Sequence, residues 1–501
     1  MRAEPLPHGV HSLSVKLSAG VALTALADIF FFRHPLGWAA GVYPAVLMAA
    51  LCAIHGGILG NSLNRIIALM LCALSVTLIE SPQTLSIVVY IAGLLTMLVL
   101  HKRARIENAL VWLRDILLFI TRVFLQWNSD QRMLDKLRRK KKIQEATLGA
   151  MAGYALAPVT LIAIFLLLFT QANPVIAKYV DKIDWVFITE LLSPWRGVFW
   201  LFSGAIIWAT LRPRFSPAKP GAPMAMPNLD RWFNRNSIIL SLALFNALFA
   251  LQNTLDIAFL WSGKELPDGL NYAEYAHAGA YPLIVTALLA AGYVLITFSN
   301  PRYHSAAGER LVYLWIAQNI FLVISAIDRT THYIEIYSLT YLRIAALIWM
   351  GLVALGLAFI TVRVFLARTN MWLINMNVLA LAATLYACCF VNFDRFIADY
   401  NVRHAKEVTG SGTNIDLAYI NELGPEALPA LRWFELNAKY SPARVIDAGI
   451  MADDMEHDLA ASMNADWRAW TWRKQRRLAS ILSEVPPPPR PIDDTGWKTR
   501  E

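Results

Sequence analysis

The ionisable side chains that could do chemistry are concentrated in residues 328–343, between two long apolar runs. Such groups are costly at the edge of hydrocarbon, so they tend to face a bundle interior or a wet cavity. We therefore predict a binding site here, with a structural ion-pair cluster as the alternative. The polar residues of this stretch are Asp328, Arg329, His332, Glu335, Tyr337 and Arg343.

Helical spacing within this stretch suggests two further possibilities. If it is helical, His332 and Glu335 lie one turn apart and could share a proton or a metal ion. A helix that continues into the next apolar run would place Tyr333, Tyr337 and Tyr341 on one face. Tyrosines also gather at membrane–water interfaces, which explains the tyrosine stripe without a function. That explanation does not account for the ionisable groups.

A second loop, residues 271–281, carries Glu274 and His277 with the same spacing of three. Two Glu/His pairs facing each other would form a first shell for zinc or for two metal ions. Because this spacing is common by chance and the familiar di-iron bundles need more carboxylates, His277 and His332 are only weak metal candidates. No metal site and no cofactor is predicted.

A polar stripe is predicted within the apolar run at residues 237–261. Asn246, Asn253 and Asp256 fall within about a quarter-turn of each other on a helix, and such a stripe should face protein or water rather than lipid. Asp256 could pair with Arg329 or with Arg343. Hydrogen bonding between helices is the simpler interpretation, and a substrate or ion pathway is the alternative.

The apolar runs that must position these residues define a membrane protein. Hydrophobic residues make up 57% of the 501 positions and charged residues 16%, whereas soluble domains carry roughly 25% charged residues. Continuous runs of about 20 apolar residues are typical of membrane-crossing helices and not of barrel strands. The sequence predicts an all-α polytopic transmembrane bundle of about eleven spans, near residues 13–32, 37–56, 63–80, 83–100, 147–170, 194–211, 237–261, 281–299, 310–327, 339–364 and 371–390.

Basic residues in the short loops predict the orientation. They cluster in residues 101–146, after 211, at 302–310 and at 363–368, and cytoplasmic loops carry an excess of Lys and Arg. The amino terminus is therefore predicted inside and the carboxyl terminus outside. This arrangement also explains the formal net charge of +9 without a nucleic-acid partner.

The predicted organisation alternates membrane groups with connecting segments. Residues 109–127 favour an amphipathic helix on the cytoplasmic surface over a twelfth span, and the polybasic run at 138–142 is predicted to bind anionic headgroups. A cytoplasmic partner is the alternative. Residues 443–484 are predicted to form one long helix. The boundaries are 1–100 (first helices), 101–146 (interfacial, polybasic), 147–211 (two helices), 212–236 (Pro-rich linker), 237–390 (second helices) and 391–501 (helical extracytoplasmic tail with a disordered end).

Several short motifs resemble a bacterial family of polytopic inner-membrane proteins catalogued only as a domain of unknown function. The resemblance covers roughly residues 237–475 and implies a multi-pass inner-membrane protein, with no activity or substrate attached. The chain departs from the pattern at Ser338, where we expect a glycine after Tyr337. The motifs are Tyr-Ala-His-Ala-Gly at 275–279, then 329–337, 339–343, 392–394, 424–431 and Asp-Trp-Arg at 466–468.

Three functions are compatible with these features. The chain has no Gly-rich phosphate loop, nucleophile elbow, Cys-x-x-Cys or His-Glu-x-x-His motif. We therefore favour a non-enzymatic sensor or scaffold that binds an envelope ligand or a signalling partner. A permease or channel lined by the polar stripe is the first alternative. The other is a membrane enzyme acting on an envelope lipid or glycan, with Asp256, His277, His332 or Glu335 as acid, base or ligand.

Overall fold

The computed structural model describes residues 13–103, 106–122, 161–162, 165, 193–213, 235–261, 292–293 and 305–483. Every regular element in these ranges is helical, so the predicted all-α class is confirmed for the described residues. The predicted spans at 147–170 and 281–299, apart from five scattered positions, lie outside the described residues. So do Glu274, His277, the polybasic run at 138–142 and most of the Pro-rich linker.

Apolar helices form the amino-terminal part of the described chain. Long apolar segments adopt helices in lipid because a helix satisfies its own backbone hydrogen bonds. The helices are α1 (Leu13–Phe31), α2 (Ala39–Ile54), α3 (Ser62–Glu80), α4 (Thr84–Arg103), α5 (residues 109–122) and α6 (Pro194–Leu211).

The second group of apolar helices comprises α7 (Arg235–Asp256), α8 (Ala306–Tyr337), α9 (Tyr341–Phe365) and α10 (Asn370–Cys388). A π-helical segment, Ile257–Trp261, continues α7. In the described part of the chain, six helices are long and apolar enough to cross a membrane: α3, α4, Arg235–Phe259, α8, α9 and α10. The chain is therefore a multi-span membrane protein.

The carboxyl-terminal residues form a group of shorter helices. They are α11 (Phe393–His404), α12 (Lys406–Thr409), α13 (Leu417–Glu422), α14 (Leu428–Asn437), α15 (Pro442–Ala465) and α16 (Trp472–Ser483), with 3-10 turns at Gly424–Ala427 and Trp467–Ala469. The prediction of one helix over 443–484 is wrong. Asp466 leaves the helix with an extended backbone, and its side chain caps the next turn by accepting from the Arg468 amide.

The chain divides into two compact units. The first comprises residues 1–75, 91–106 and 111–218, and the second comprises 76–90, 107–110 and 219–501. In the first unit, α1 and α6 run antiparallel. Arg196, near the start of α6, binds Asp28, near the end of α1, while Gly20 faces Trp208 and Leu211 at the opposite end of α6.

In the second unit, α7 and α8 run parallel. Asn246 of α7 donates to the carbonyl oxygen of Leu311, and Asn253 donates to that of Gln318, so the pairing advances in the same direction along both helices. Packed side chains join α7 and α8 to α9 and α10 in one apolar core, which includes Phe249.

A second apolar core lies within the carboxyl-terminal helices. It is built from α11, α13, α14 and α15, and it also includes Ile334 of α8 and Leu339 of the turn that follows. Phe434 is fully buried at its centre. The tail is therefore packed onto the end of α8 and is not a separate appendage.

The turn between α8 and α9 breaks the predicted tyrosine stripe. The helix ends at Tyr337 and restarts at Tyr341, so the prediction of one helical face that includes Tyr341 is wrong. Ser338 has φ 68° and ψ 172°, a backbone conformation that is almost confined to glycine. This geometry explains why a glycine was expected at this position.

Replacing Ser338 by glycine should stabilise the protein. The substitution relieves a conformation that costs a non-glycine residue about 1–3 kcal/mol, and part of this gain is offset by the added freedom of the unfolded chain. We expect Ser338→Gly to raise the thermal unfolding midpoint in detergent. Ser193→Gly is the matched control, because Ser193 has φ −58° and gains nothing. Equal midpoints for Ser338→Gly and wild type would contradict the strain.

Candidate functional site

A buried ion pair joins the polar stripe to the charged stretch at residues 328–343. Arg329 Nη2 lies 2.7 Å from Asp256 Oδ1, and the Asp256 side chain is fully buried. Gln252 donates a second hydrogen bond to the same oxygen. Of the two partners considered for Asp256, the structure therefore selects Arg329 and not Arg343.

The two asparagines of the stripe connect α7 to α8. Asn246 donates to the carbonyl oxygens of Leu242 and Leu311, and Asn253 donates to that of Gln318. Both are buried, so the stripe faces protein. An amide that bonds a neighbouring backbone holds two helices in one register. This geometry favours the structural interpretation of the stripe over a pathway.

Of the other predicted site residues of α8, His332, Glu335 and Tyr337 are exposed and Asp328 is partly exposed. His332 Nδ1 lies 3.0 Å from the Asp328 carbonyl oxygen and 3.7 Å from its carboxylate. Glu335 is exposed and interacts electrostatically with Tyr400 of α11. These side chains form an accessible polar face next to the tail. The predicted partner His277 lies outside the described residues.

Arg343 holds the end of α8. Its Nη1 donates to the carbonyl oxygen of Tyr337 at 2.6 Å and also to that of Ser338. The guanidinium lies 4.5 Å from the centre of the Tyr333 ring, and the Tyr333 and Tyr337 rings are themselves in contact. A cation at the carboxyl end of a helix complements the helix dipole. Arg343 thus closes the turn.

Three residues from the tail, Asn401, Tyr419 and Asp394, complete this turn. None of them is among the predicted site residues. Asn401 accepts from the Leu339 amide and donates to its carbonyl oxygen, at 2.7 and 2.9 Å. Tyr419 Oη accepts from the Tyr341 amide, and Tyr341 Oη donates to Asp394. Only Asp394 had a sequence signal, as part of the motif at 392–394.

The described part of this site presents charged and polar side chains at the surface of α8. Among the described residues, no three His, Cys, Asp or Glu side chains lie close enough together to hold a metal ion. The structure offers a polar face of partly exposed Asp328 with exposed His332 and Glu335, beside a turn that Arg343 and Asn401 hold by hydrogen bonds. Arg329 lies within the protein beneath that face and is neutralised by Asp256.

Asp28 lies in the first unit, where its partner is Arg196. Both Asp28 carboxylate oxygens accept from Arg196 Nε, at 2.9 and 3.1 Å. The Arg196 guanidinium also lies over the Phe32 ring. No sequence pattern points to Arg196 as this partner, because the two residues are 168 positions apart.

A family model described as a domain of unknown function, DUF4153, matches residues 44–433. This range contains most of the apolar helices, the ion pair, the turn and the first tail helices. No curated protein and no solved structure matches the chain.

Removing the Asp256 carboxylate should destabilise the protein strongly. Asp256→Ala leaves the Arg329 guanidinium buried without its counter-charge, which costs about 3–5 kcal/mol. The double variant Asp256→Asn/Arg329→Gln removes both charges and should recover most of this loss. Unfolding in detergent with a denaturant series measures both effects. Asp328→Ala is the matched control, because its exposed carboxylate should change stability by less than about 0.5 kcal/mol.

The Asp394 carboxyl should make stability depend on pH. Burial raises the pKa of Asp394 above its usual value, with the hydrogen bond from Tyr341 acting in the opposite direction. The protonated form therefore contributes stability below the unfolded-state pKa, and this contribution is lost as pH rises through the folded-state pKa.

We expect the unfolding midpoint of Asp394→Asn, relative to wild type, to rise between about pH 4 and about pH 7. The measurement is thermal unfolding of both proteins across that range. A relative midpoint that falls with rising pH would mean that the carboxylate is stabilised by its surroundings, contrary to the burial argument.

Proposed function

The chain belongs to the DUF4153 family, and we propose that it is a multi-pass protein of the bacterial inner membrane that binds an envelope ligand or partner without catalysing a reaction. The observation that carries this proposal is the apolar core shared by the tail and the end of α8. A binding event on the tail or on the exposed face of α8 would act on one rigid assembly.

The length of α8 supports an exposed binding face. Its 32 residues extend about 48 Å at 1.5 Å per residue, whereas the hydrocarbon core is about 30 Å thick. The polar end at 328–337 can therefore stand outside the hydrocarbon while remaining helical. We propose that the tail and this end face the envelope, as the positive-inside distribution of basic residues indicates.

Helix directions support the proposal of eleven spans. Because α7 and α8 are parallel, the chain between them must cross back to the side of the membrane on which α7 begins. The proposed span at 281–299 provides this return crossing. In the first unit, His55 contacts the His101 ring and the Thr210 backbone, so α4 and α6 end on the same side. A return crossing is again required, and the proposed span at 147–170 supplies it.

Cysteine labelling tests the proposed topology. In a variant with the four native cysteines replaced by serine, Ser411→Cys on the tail should react with a membrane-impermeant maleimide added to intact spheroplasts. Arg368→Cys, between α9 and α10, should react only after the membrane is opened. Both positions are exposed. Labelling of both residues from the same side would rule out the proposed arrangement of α10 and the tail.

Site-specific photo-crosslinking in cells tests the binding role. A crosslinker at Glu335 should give a discrete adduct, whereas one at Leu355, an exposed residue within apolar α9, should give only lipid adducts. Exchanging Asp328 and His332 for alanine should abolish the Glu335 adduct without altering the unfolding midpoint. An adduct that persists in that variant would show that the polar face is not what the partner recognises.

A permease is the second candidate, because ionisable residues within membrane helices, such as Asp256, also mark substrate and ion pathways. Such a protein would lose solute flux in Asp256→Asn while keeping the Glu335 adduct. If wild-type protein in proteoliposomes shows no flux for any solute in a panel of ions and metabolites, a permease function is ruled out.

A further inference from the structure

Basic side chains converge where four apolar helices end in the first unit. Lys16 lies near the start of α1, Lys102 near the end of α4, and Arg212 directly follows α6. The charges of Lys102 and Arg212 both act on Lys16. Like charges held together in a partly buried place destabilise one another unless an anion joins them.

Two histidines lie against this basic group. His55 directly follows α2 and His101 belongs to α4, and their ring centres are 5.3 Å apart. Lys16 and Lys102 both act electrostatically on His55. His55 is only 8% exposed, and its Nε2 atom is buried with no hydrogen-bond partner in the described part of the chain. A buried nitrogen in such a setting normally has a partner.

Among the described residues, no carboxylate is a main electrostatic influence on Lys16, His55 or His101. Asp115, on α5, lies 2.7 Å from Arg103 and 3.5 Å from Arg114, so its single charge is already shared by two arginines. Among the described residues, this end of the unit therefore carries more basic than acidic side chains.

We propose that Lys16, Lys102, Arg212 and the His55–His101 pair form a binding site for the phosphate of an anionic phospholipid. Donors from four helices converge, and phosphate accepts several charge-assisted hydrogen bonds at once. Basic pockets between membrane helices bind anionic headgroups. Free inorganic phosphate has the same chemistry, but α4 is long and apolar enough to cross a membrane, and the end of such a helix lies at the level of the headgroups. This site is independent of the binding face proposed for α8 and the tail.

Native mass spectrometry of the full-length protein in detergent tests the site. Wild type is titrated with phosphatidylglycerol, phosphatidylcholine or inorganic phosphate. We expect selective retention of phosphatidylglycerol, and a roughly 30-fold weaker affinity in Lys16→Gln/Lys102→Gln, since each basic side chain near a membrane surface contributes about fivefold. Lys102→Gln alone, at an exposed position that folding should tolerate, is expected to lose about fivefold.

The matched control is Arg235→Gln/Arg368→Gln. It removes two exposed charges at helix ends of the second unit and should bind phosphatidylglycerol as wild type does. Equal losses in the control and the Lys16/Lys102 variant would overturn the proposal and leave only a general attraction between charges. Equal retention of phosphatidylcholine would overturn it as well. Phosphate that binds as tightly as the lipid would overturn the assignment of lipid as the occupant.

Discussion

The pairing of Asp256 with Arg329 is the constraint on which the second unit depends. Moving two charges out of water costs several kcal/mol per ion, and only close pairing with further hydrogen bonds offsets that cost. The 2.7 Å contact and the bond from Gln252 meet this requirement. They fix the rotation of α7 against α8, and Asn246 and Asn253 fix the same register along the rest of the pair.

The turn after α8 connects this helix pair to the carboxyl-terminal helices. Nine residues beyond Arg329, the chain enters a strained conformation at Ser338. Arg343 holds this turn from one side and Asn401 from the other. Asn401 belongs to a helix that packs on Ile334 and Leu339. A displacement of the tail must therefore move the end of α8, or break these contacts. Packed side chains and hydrogen bonds thus connect the carboxyl-terminal helices to the membrane helices without a gap.

Hydropathy predicted the positions of the described apolar helices well, because length and polarity alone select helices in lipid. The sequence did not decide whether Arg329 or Arg343 is the partner of Asp256. That choice depends on the register of α7 against α8, and the two paired residues are 73 positions apart. The periodicity of one helix does not encode its register against another. The break at Ser338 had only an indirect signal, the expected glycine. In the tail, Asp466 is a residue type that commonly caps helices, but the prediction of one helix over 443–484 ran through it.

The charged side chains at the two ends of the helices in the first unit are compensated differently. Near one end, Asp28 and Arg196 neutralise each other. At the other end, helix dipoles favour Lys102 and Arg212, since both lie at carboxyl-terminal helix ends. Lys16 gains nothing from a helix dipole, because it lies in the first turn of α1, where the dipole disfavours a cation. A lysine placed against both the dipole and its neighbours gains most from an external anion, and the bilayer surface supplies anions at that level.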